Sequence, residues 1–340
     1  MAVHIDPIPQ HYLNPEFEPE ELTGTEEAPV ESVVQAPEPS AQPYHPGSLT
    51  PRQLAEIGRK LPPWIRGRVA TGETYESIKN IISDKSLNTV CAEARCPNLG
   101  ECWSRGTATF MILGDTCTRA CGFCAVKTGR PQQLDLDEPR RVAESIRQMR
   151  LRHAVITSVN RDELRDGGAA VFAETIRLVH DRCPGTAVEV LIPDFLGNRE
   201  ALQMVFDARP EILNHNLETV PRLSAHVRSR AVYGRSLRVL EWGKEAGLKT
   251  KTGLMLGLGE GIDEIKEVMR DLVAIECDIM TLGQYLQPTK NHLPIYRYVH
   301  PEEFAELKAY GEALGIPHVE AGPMVRSSYH AEDQSKDVLK

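Results

Sequence analysis

The 340-residue chain has the composition of a soluble globular protein, with 41% hydrophobic and 26% charged residues, and it is long enough for one large core. Its formal net charge of −9 comes from the first 50 residues, which hold nine Asp or Glu and no Lys or Arg, whereas the rest carries 39 acidic and 39 basic residues. A balanced body gives no general argument for nucleic-acid binding, and no apolar run is long enough to span a bilayer. Composition therefore predicts a protein that acts without nucleic acid and without a membrane.

The N-terminal third of the chain is predicted to lie outside the main fold. Residues 1–48 contain nine prolines and all nine of these acidic residues, which predicts a disordered tail with either a docking or a solubilising role. We expect an extension over residues 49–106, beginning with a short helix near Pro51 and containing a second helix at 77–82. The start of the chain lacks the features of a secretory signal or a transit peptide, and clustered cysteines suggest a reducing compartment, so a cytoplasmic location is expected.

Strands and helices alternate in the main fold, which we assign to residues 107–316. Strands are predicted at 109–114, 153–158, 187–192, 212–218, 249–258 and 279–285, and helices at 138–151, 168–181, 198–207, 236–246, 262–276 and 301–314. This order predicts an α/β fold with a parallel sheet covered by helices. Six units are too few for a closed eightfold barrel, so we expect an open, partial (β/α)6 TIM-like barrel with its active site at the carboxyl ends of the strands. A short strand at 318–321 would open the C-terminal segment, residues 317–340.

Six of the eight cysteines form two triplets. The first triplet, spaced C-x4-C-x5-C in a stretch predicted to be rich in turns, is Cys91, Cys96 and Cys102. The second triplet, spaced C-x3-C-x2-C in the loop after the first predicted barrel strand, is Cys117, Cys121 and Cys124. Each triplet offers three thiolates without a fourth cysteine beside it, which leaves one position of a four-ligand centre open for substrate or cofactor. Zinc with a cysteine from elsewhere is the alternative, although zinc favours C-x2-C pairs with a second pair downstream.

The second triplet, with Phe123 inside it and a half-dozen βα units around it, resembles the radical S-adenosylmethionine (SAM) superfamily. The resemblance implies that its cysteines bind three irons of a [4Fe–4S] cluster, and that the fourth iron binds SAM. One electron then cleaves SAM to a 5′-deoxyadenosyl radical, which abstracts hydrogen from unactivated carbon. The resemblance also implies SAM contacts at Asn160, Arg161, Asp162, Gly167, Gly168 and Glu260. For each glycine taken singly, a tight turn explains its presence equally well.

Several further stretches resemble the lipoyl synthase family, and the match runs from about residue 55 to about residue 332. These stretches are residues 98–103, 123–126, 158–168, 251–257, 283–294 and 326–329. The resemblance implies a partial barrel whose mouth is covered by the N- and C-terminal extensions. It further implies a second, auxiliary [4Fe–4S] cluster, held by the first triplet and by Ser328, with Ser327 the less favoured choice. The family inserts two sulfurs at carbons six and eight of a protein-bound octanoyl chain, and the auxiliary cluster is the sulfur donor.

This resemblance implies several partners for a monomeric enzyme. They are an octanoylated lipoyl-domain or glycine-cleavage carrier protein, an iron–sulfur delivery protein that rebuilds the consumed cluster, and a reductant such as ferredoxin or flavodoxin. A basic run of five arginines between Arg222 and Arg238 either receives an acidic carrier or forms a solvated face. His292 either contacts substrate or cofactor or, as is commoner for a single histidine, packs or makes loop hydrogen bonds.

Two other functions remain as alternatives. One is a methylthiotransferase-like radical SAM enzyme acting on tRNA, but no RNA-binding module follows the barrel. The other is a non-catalytic iron–sulfur or zinc protein, which would not explain why both triplets lack a fourth cysteine.

Overall fold

The computed structural model describes most of the chain after its N-terminal tail. The described residues are 51–59, 61–66, 73–85, 87–93, 96, 98–104, 108–131, 133–228, 230–329 and 331–332. The tail predicted over residues 1–48 therefore lies outside the described residues. Of the helices in the described ranges, none combines the length and the apolar character needed to cross a membrane.

Short elements precede the barrel. They are α1 (Pro51–Arg59), α2 (Glu73–Asp84), β1 (Asn88–Thr89), α3 (Val90–Glu93) and α4 (Leu99–Ser104). The prediction of turns over residues 98–103 was wrong, because this stretch forms α4. The Cys102 N–H donates to the Asn98 carbonyl at 2.9 Å and closes its first helical turn. The rings of Tyr75 on α2 and Trp103 on α4 pack with their centroids 5.4 Å apart, so the two helices pack against each other.

The barrel follows the predicted alternation closely. Its elements are β2 (Thr109–Ile112), β3 (Thr116–Cys117), β4 (Lys127–Thr128), α5 (Glu138–Met149), β5 (His153–Ser158), α6 (Ala169–Arg182), β6 (Ala187–Leu191), α7 (Arg199–Asp207), β7 (Ile212–Asn214), α8 (Pro221–Val227), α9 (Tyr233–Glu245), β8 (Lys249–Leu256), α10 (Ile262–Ala274), β9 (Ile279–Gln284), α11 (Pro301–Leu314) and β10 (His318–Gly322). The sequence reasoning missed α8, a seven-residue helix that opens with Pro221.

One large sheet organises these elements, in the order β1-β2-β5-β6-β7-β8-β9-β10. All neighbours are parallel except β1, which pairs antiparallel with β2. The six barrel strands and the short strand at 318–321, observed as β10, were predicted, whereas β1 was not, and β1 and β10 extend the sheet at its two ends. Parallel strands covered by helices bury both faces, and all four residues of β2 are accordingly buried. The predicted open, partial barrel is confirmed.

The predicted strand 212–218 is regular only as far as Asn214. Its continuation still bonds to β8, because the Glu218 N–H donates to the Gly253 carbonyl and the Glu218 carbonyl accepts from Met255. Glu218 itself adopts a left-handed φ of 66°, which breaks the strand geometry. This irregular end brings polar side chains to the carboxyl rim of the barrel.

A buried charged network links four strands inside the barrel. Lys251 Nζ lies 2.8 Å from one Glu189 oxygen, which also accepts from Asn214, while His153 approaches the other oxygen at 3.2 Å. Burial alone would raise the pKa of Glu189, but Lys251 and His153 outweigh it and lower that pKa to about 2. The carboxylate therefore contributes stability above its ordinary pKa of 4.5, and this contribution is lost as the pH falls towards 2.

We predict that Lys251→Met lowers the free energy of unfolding by about 3–5 kcal/mol, because the Glu189 carboxylate would stay buried without its cation. The double variant Glu189→Gln/Lys251→Met removes the unpaired charge and should recover most of that loss. Denaturant unfolding of the three proteins measures both effects. A double variant no more stable than Lys251→Met would contradict the prediction.

Candidate active site at the carboxyl rim of the barrel

The second cysteine triplet lies in a loop that leaves β2 through a sharp turn. Leu113 and Gly114 both have left-handed backbone angles there, with φ of 70° and 91°. Glu138 accepts the Leu113 N–H at 2.6 Å, and Arg161 Nη1 donates to the Leu113 carbonyl at 3.0 Å. Further along, β3 and β4 pair in parallel within the loop and place Cys117 opposite Thr128. The loop is therefore a folded unit held at both ends.

The three thiols of this loop lie close together. Burial raises the pKa of Cys124 to about 12, and the charges of Cys121 and Cys117 add to this effect. Burial also raises the pKa of Cys121, with a contribution from Cys117. All eight cysteines of the chain are free thiols. A bound cluster must therefore displace protons from these thiols.

N–H groups surround the sulfur of Cys117. The backbone N–H of Asn160 lies 3.3 Å from Cys117 Sγ, its side-chain Nδ2 lies at 3.7 Å, and the Arg119 N–H at 3.5 Å. Such donors stabilise a thiolate or a cluster sulfur. In the parts of the chain that the structure describes, no three His, Cys, Asp or Glu side chains converge on one point as ligands of a single metal ion do. In a [4Fe–4S] cluster each cysteine binds its own iron, so its ligands do not share one point.

The loop that contains Thr289, His292 and Leu293 holds the cysteine loop in place. His292 Nε2 donates to the Cys124 carbonyl at 2.9 Å, which leaves its Nδ1 to accept from the Thr289 hydroxyl at 2.8 Å. The next residue, Leu293, donates its N–H to the Gly122 carbonyl. A Cβ atom on Gly122 would lie 2.8 Å from the Leu293 side chain, so this close approach requires glycine. His292 thus makes loop hydrogen bonds, which is one of the alternatives left open by the sequence.

A cavity of about 440 Å³ opens beside Asn160, at the ends of β5 and β6. Four of the predicted SAM contacts line it, namely Asn160, Arg161, Asp162 and Gly167. Gly168 instead is the N-cap of α6, where a Cβ atom would lie 2.3 Å from the Leu113 side chain. Glu260 does not line the cavity, and its carboxylate accepts the N–H groups of Gly257 and Leu258 in the turn after β8. The structure therefore brings four of these six residues together around one space.

Two buried polar atoms of the residues that line this cavity have no hydrogen-bond partner in the part of the chain that the structure describes. Asn160 Oδ1 and Arg161 Nη2 are both buried without a hydrogen-bond partner among the described residues. Asp162, in contrast, uses both oxygens to bind the Arg119 guanidinium, at 2.7 and 2.8 Å. Buried polar groups are nearly always hydrogen-bonded, so the two unpaired atoms indicate a missing partner.

The C-terminal segment meets the first cysteine triplet. Asn98 Nδ2 donates to the Met324 carbonyl at 2.7 Å, and the Tyr329 hydroxyl donates to Glu101 at 3.3 Å. Burial lowers the pKa of Arg326, and the nearby Cys96 acts in the opposite direction, which places this guanidinium beside the triplet. Burial raises the pKa of Cys91 and the charge of Cys96 adds to it, so these two thiols also lie near each other.

Two serines were candidates for the fourth ligand, and the structure treats them differently. Ser327 Oγ lies 2.8 Å from Asn216 Nδ2 and 3.1 Å from Asn216 Oδ1, so it is engaged at the end of β7. Ser328, half-buried, makes no side-chain hydrogen bond to any other described residue. Of the two serines, only Ser327 has its hydroxyl engaged by another described side chain.

Glu218 is a site residue that sequence reasoning missed. It was assigned to a predicted strand, but the irregular end of β7 turns it towards the cysteine loop, where its charge raises the pKa of Cys121 and Cys124. Its own pKa is raised by burial, although Arg228 opposes the shift. Asn216 donates to Glu218 at 3.1 Å and also binds Ser327. These two residues therefore connect the cysteine loop to the C-terminal segment.

The predicted basic run is largely paired within the protein. Arg222 binds Glu264, Arg235 binds Asp194, Arg238 binds Glu241, and Arg228 donates to the carbonyls of Asn216 and Leu217. Arg230 lies 3.8 Å from Asp162. These internal contacts give no support to the run as a docking surface for an acidic carrier.

We predict that Gly283→Ala disturbs the first triplet, because a Cβ atom there would lie 2.1 Å from the Val325 carbonyl oxygen and push the C-terminal segment off β9. If the first triplet holds one of two [4Fe–4S] clusters, displacing the segment packed on it should lower the iron bound at that site, by up to roughly half of the total. Iron per chain after anaerobic reconstitution measures this. Gly234→Ala is the control, because that helical glycine has open space around it. Full iron in Gly283→Ala would refute the prediction.

Comparison with solved structures supports the fold. The crystal structure of Streptococcus suis SuiB bound to S-adenosylmethionine superposes with a TM-score of 0.51 at 10% identity, covering 66% of this chain and 54% of that one. A crystal structure of HydG, a maturase of the [FeFe]-hydrogenase, also gives 0.51, at 14% identity, over 78% of this chain and 67% of that one. At such low identity these likenesses concern the fold alone.

Comparison with sequence families is more specific. Residues 111–272 match the family model of the radical SAM superfamily, and residues 34–96 match the N-terminal domain of lipoyl synthase. The lipoyl synthase of Rubrobacter xylanophilus is 60% identical over 82% of this chain and 88% of its own length. That of Bacillus subtilis is 54% identical over 83% of this chain and 95% of its own length. These matches do not favour a methylthiotransferase, and the chain belongs to the lipoyl synthase family of radical SAM enzymes.

Proposed function

We propose that this chain inserts sulfur at carbons six and eight of a protein-bound octanoyl-lysine, with a separate role for each cysteine triplet. Cys117, Cys121 and Cys124 would hold the cluster that cleaves SAM, and the first triplet together with Ser328 would hold the cluster that donates sulfur. The observation that carries this division is the contact between the C-terminal segment and the first triplet. Asn98 and Met324 meet there although 226 residues separate them in the chain.

The donor groups of the cysteine loop, which carries Cys117, Cys121 and Cys124, fit a [4Fe–4S] cluster. The loop supplies three neighbouring thiols, and N–H groups of Asn160 and Arg119 face the Cys117 sulfur. When bound, the cluster and SAM supply a 5′-deoxyadenosyl radical that abstracts hydrogen from the substrate chain. The protein must orient the cluster and SAM and exclude water. The Gly122–Leu293 and Cys124–His292 contacts close one side of the cysteine loop.

The cavity beside Asn160 offers contacts suited to SAM. Its unpaired Arg161 Nη2 is a cationic donor suited to a carboxylate, and the unpaired Asn160 Oδ1 is an acceptor suited to an ammonium group. Glu218, whose charge acts on Cys121 and Cys124, can accept hydroxyl or ammonium hydrogens. We assign Glu260 a structural role in its turn. Asp162, whose oxygens bind Arg119, would act on SAM only indirectly.

Ser328 has a chemical reason to be the ligand at the sulfur-donating site. Serine oxygen is a hard ligand that matches a sulfur-rich cluster poorly. The iron it holds would leave more readily than one held by cysteine, and its loss would open the cluster for sulfur donation. Ser327, bound to Asn216, would instead anchor the segment to the barrel.

We predict that Ser328→Cys keeps the auxiliary cluster but slows sulfur transfer at least tenfold, because thiolate holds iron more firmly than serine oxygen. Ser327→Cys is the matched control and should leave the rate of transfer closer to wild type. Iron content and single-turnover sulfur transfer measure the two effects. Unchanged turnover in Ser328→Cys would contradict the proposed role.

The substrate and partners follow from the proposed chemistry. The octanoyl chain would arrive on a lipoyl domain or on a glycine-cleavage carrier protein. An iron–sulfur delivery protein would rebuild the consumed cluster, and ferredoxin or flavodoxin would supply electrons. We propose a monomer that acts in the cytoplasm.

An anaerobic assay tests the function directly. The protein is reconstituted with iron and sulfide, mixed with SAM, reductant and an octanoyl-lysyl peptide, and the peptide is weighed by mass spectrometry. We expect a gain of two sulfur atoms with release of 5′-deoxyadenosine. Deoxyadenosine without sulfur on the peptide would exclude the octanoyl substrate, and neither product from a cluster-loaded chain would support a non-catalytic iron–sulfur protein.

A further inference from the structure

Arg119 lies inside the cysteine loop and is almost completely buried. It stands two residues after Cys117 and two residues before Cys121. Only 3% of its side chain is exposed, and its guanidinium contacts two carboxylates, those of Asp162 and Asp194, which are 5% and 0% exposed. A buried charge inside a ligand loop needs a physical reason, because burying ions is costly unless they are well paired.

The pairing of Arg119 is tight and directional. Its Nε and Nη2 bind the two oxygens of Asp162 at 2.7 and 2.8 Å, and Nη2 also reaches Asp194 at 2.8 Å. Arg235 binds the other oxygen of Asp194 at 3.0 Å. The planar guanidinium fork fixes orientation as well as distance, which an ammonium group cannot do. The loop is thereby fixed to the ends of two strands, since Asp162 follows β5 and Asp194 follows β6.

The neighbouring residue strengthens the same attachment. The Thr118 N–H donates to the Asn160 carbonyl at 3.0 Å, and the Asp162 N–H donates to the Thr118 hydroxyl at 3.1 Å. Thr118 and Arg119 are therefore both bound to residues 160–162. This is the stretch whose first residue, Asn160, directs its N–H at the Cys117 sulfur at 3.3 Å.

We propose that Arg119 is a positioning residue which, held by Asp162 and Asp194, sets the distance between the Cys117 sulfur and the N–H donors of Asn160. This inference rests on the proposed function, because it concerns the cluster that the loop would hold. Hydrogen bonds to ligand sulfurs are one determinant of the reduction potential of iron–sulfur clusters. Arg119 thus sets how readily that cluster is reduced. Asp162 affects the reduction of the cluster only through its contact with Arg119.

Two variants separate the charge of Arg119 from its geometry. Arg119→Lys keeps the positive charge but loses the planar fork, so the loop should sit less firmly on residues 160–162. Arg119→Gln loses both and leaves two buried carboxylates with less compensation. Asp194→Asn keeps the bidentate pair with Asp162 and should have a smaller effect than either. Arg222→Gln is the matched control, because Arg222 makes a bidentate pair with Glu264 away from the cysteine loop.

The measurement is a redox titration of the cluster held by the cysteine loop, in which electron paramagnetic resonance monitors the reduced cluster. The full-length chain carries Cys91→Ala, Cys96→Ala and Cys102→Ala, so that only the cysteine loop can hold a cluster. At fixed potential we expect Arg119→Lys to lower the ratio of reduced to oxidised cluster about tenfold, which for a one-electron couple corresponds to about 59 mV. Arg119→Gln should lower it further, and Arg222→Gln should leave it unchanged.

Each outcome decides the proposal. A wild-type potential in Arg119→Lys and Arg119→Gln, or an equal shift in Arg222→Gln, overturns it. If Arg119→Gln fails to fold or to take up iron, the comparison of Arg119→Lys with Asp194→Asn decides, and equal shifts in these two overturn the role of the fork. A chain with an intact Arg119 that loads no cluster at this loop overturns the proposed function together with this inference, which distinguishes it from a failure of the inference alone.

Discussion

Parallel pairing of the barrel strands is the constraint on which the site depends. Because β2 and β5 to β9 all run in one direction, their carboxyl ends meet at one rim of the sheet. The cysteine loop leaves β2 at this rim, and Asn160, Asp194 and Glu218 follow three other strands there. The sheet topology thus brings residues that are far apart in the chain to the same loop.

The C-terminal segment adds the second half of the site by crossing the barrel at small residues. Gly283 on β9 leaves room for the Val325 carbonyl, and Gly253 on β8 leaves room for the side chains of Asn216 and Ser327. A larger side chain at either strand position would hold the segment away. Close packing over these glycines therefore holds the C-terminal segment against the barrel, where Met324 and Tyr329 contact the stretch between Cys96 and Cys102.

Buried charges serve two different purposes in the barrel. Deep inside, Lys251 and Glu189 join strands that are already paired, so their main effect is on stability. At the rim, Arg119 adds two buried ion pairs to the contacts that Thr118 already makes with residues 160–162, and it also joins the loop to Asp194 after β6. The physical difference lies in what is connected, because the first pair joins strands of one sheet and the second joins a loop to the ends of two strands.

The sequence by itself determined the alternation of the six barrel strands with helices, the partial barrel and the two triplets, because hydrophobic periodicity and cysteine spacing are local patterns. It did not show that residues 98–103 form a helix or that Glu218 leaves its strand, since both depend on packing around them. The pairing of Arg119 with Asp162, 43 residues apart, was equally invisible. Only the tertiary structure decided which polar residues pair with the protein and which stay unpaired beside the cavity, because a sequence carries residue types and spacings but no distances between distant parts of the chain.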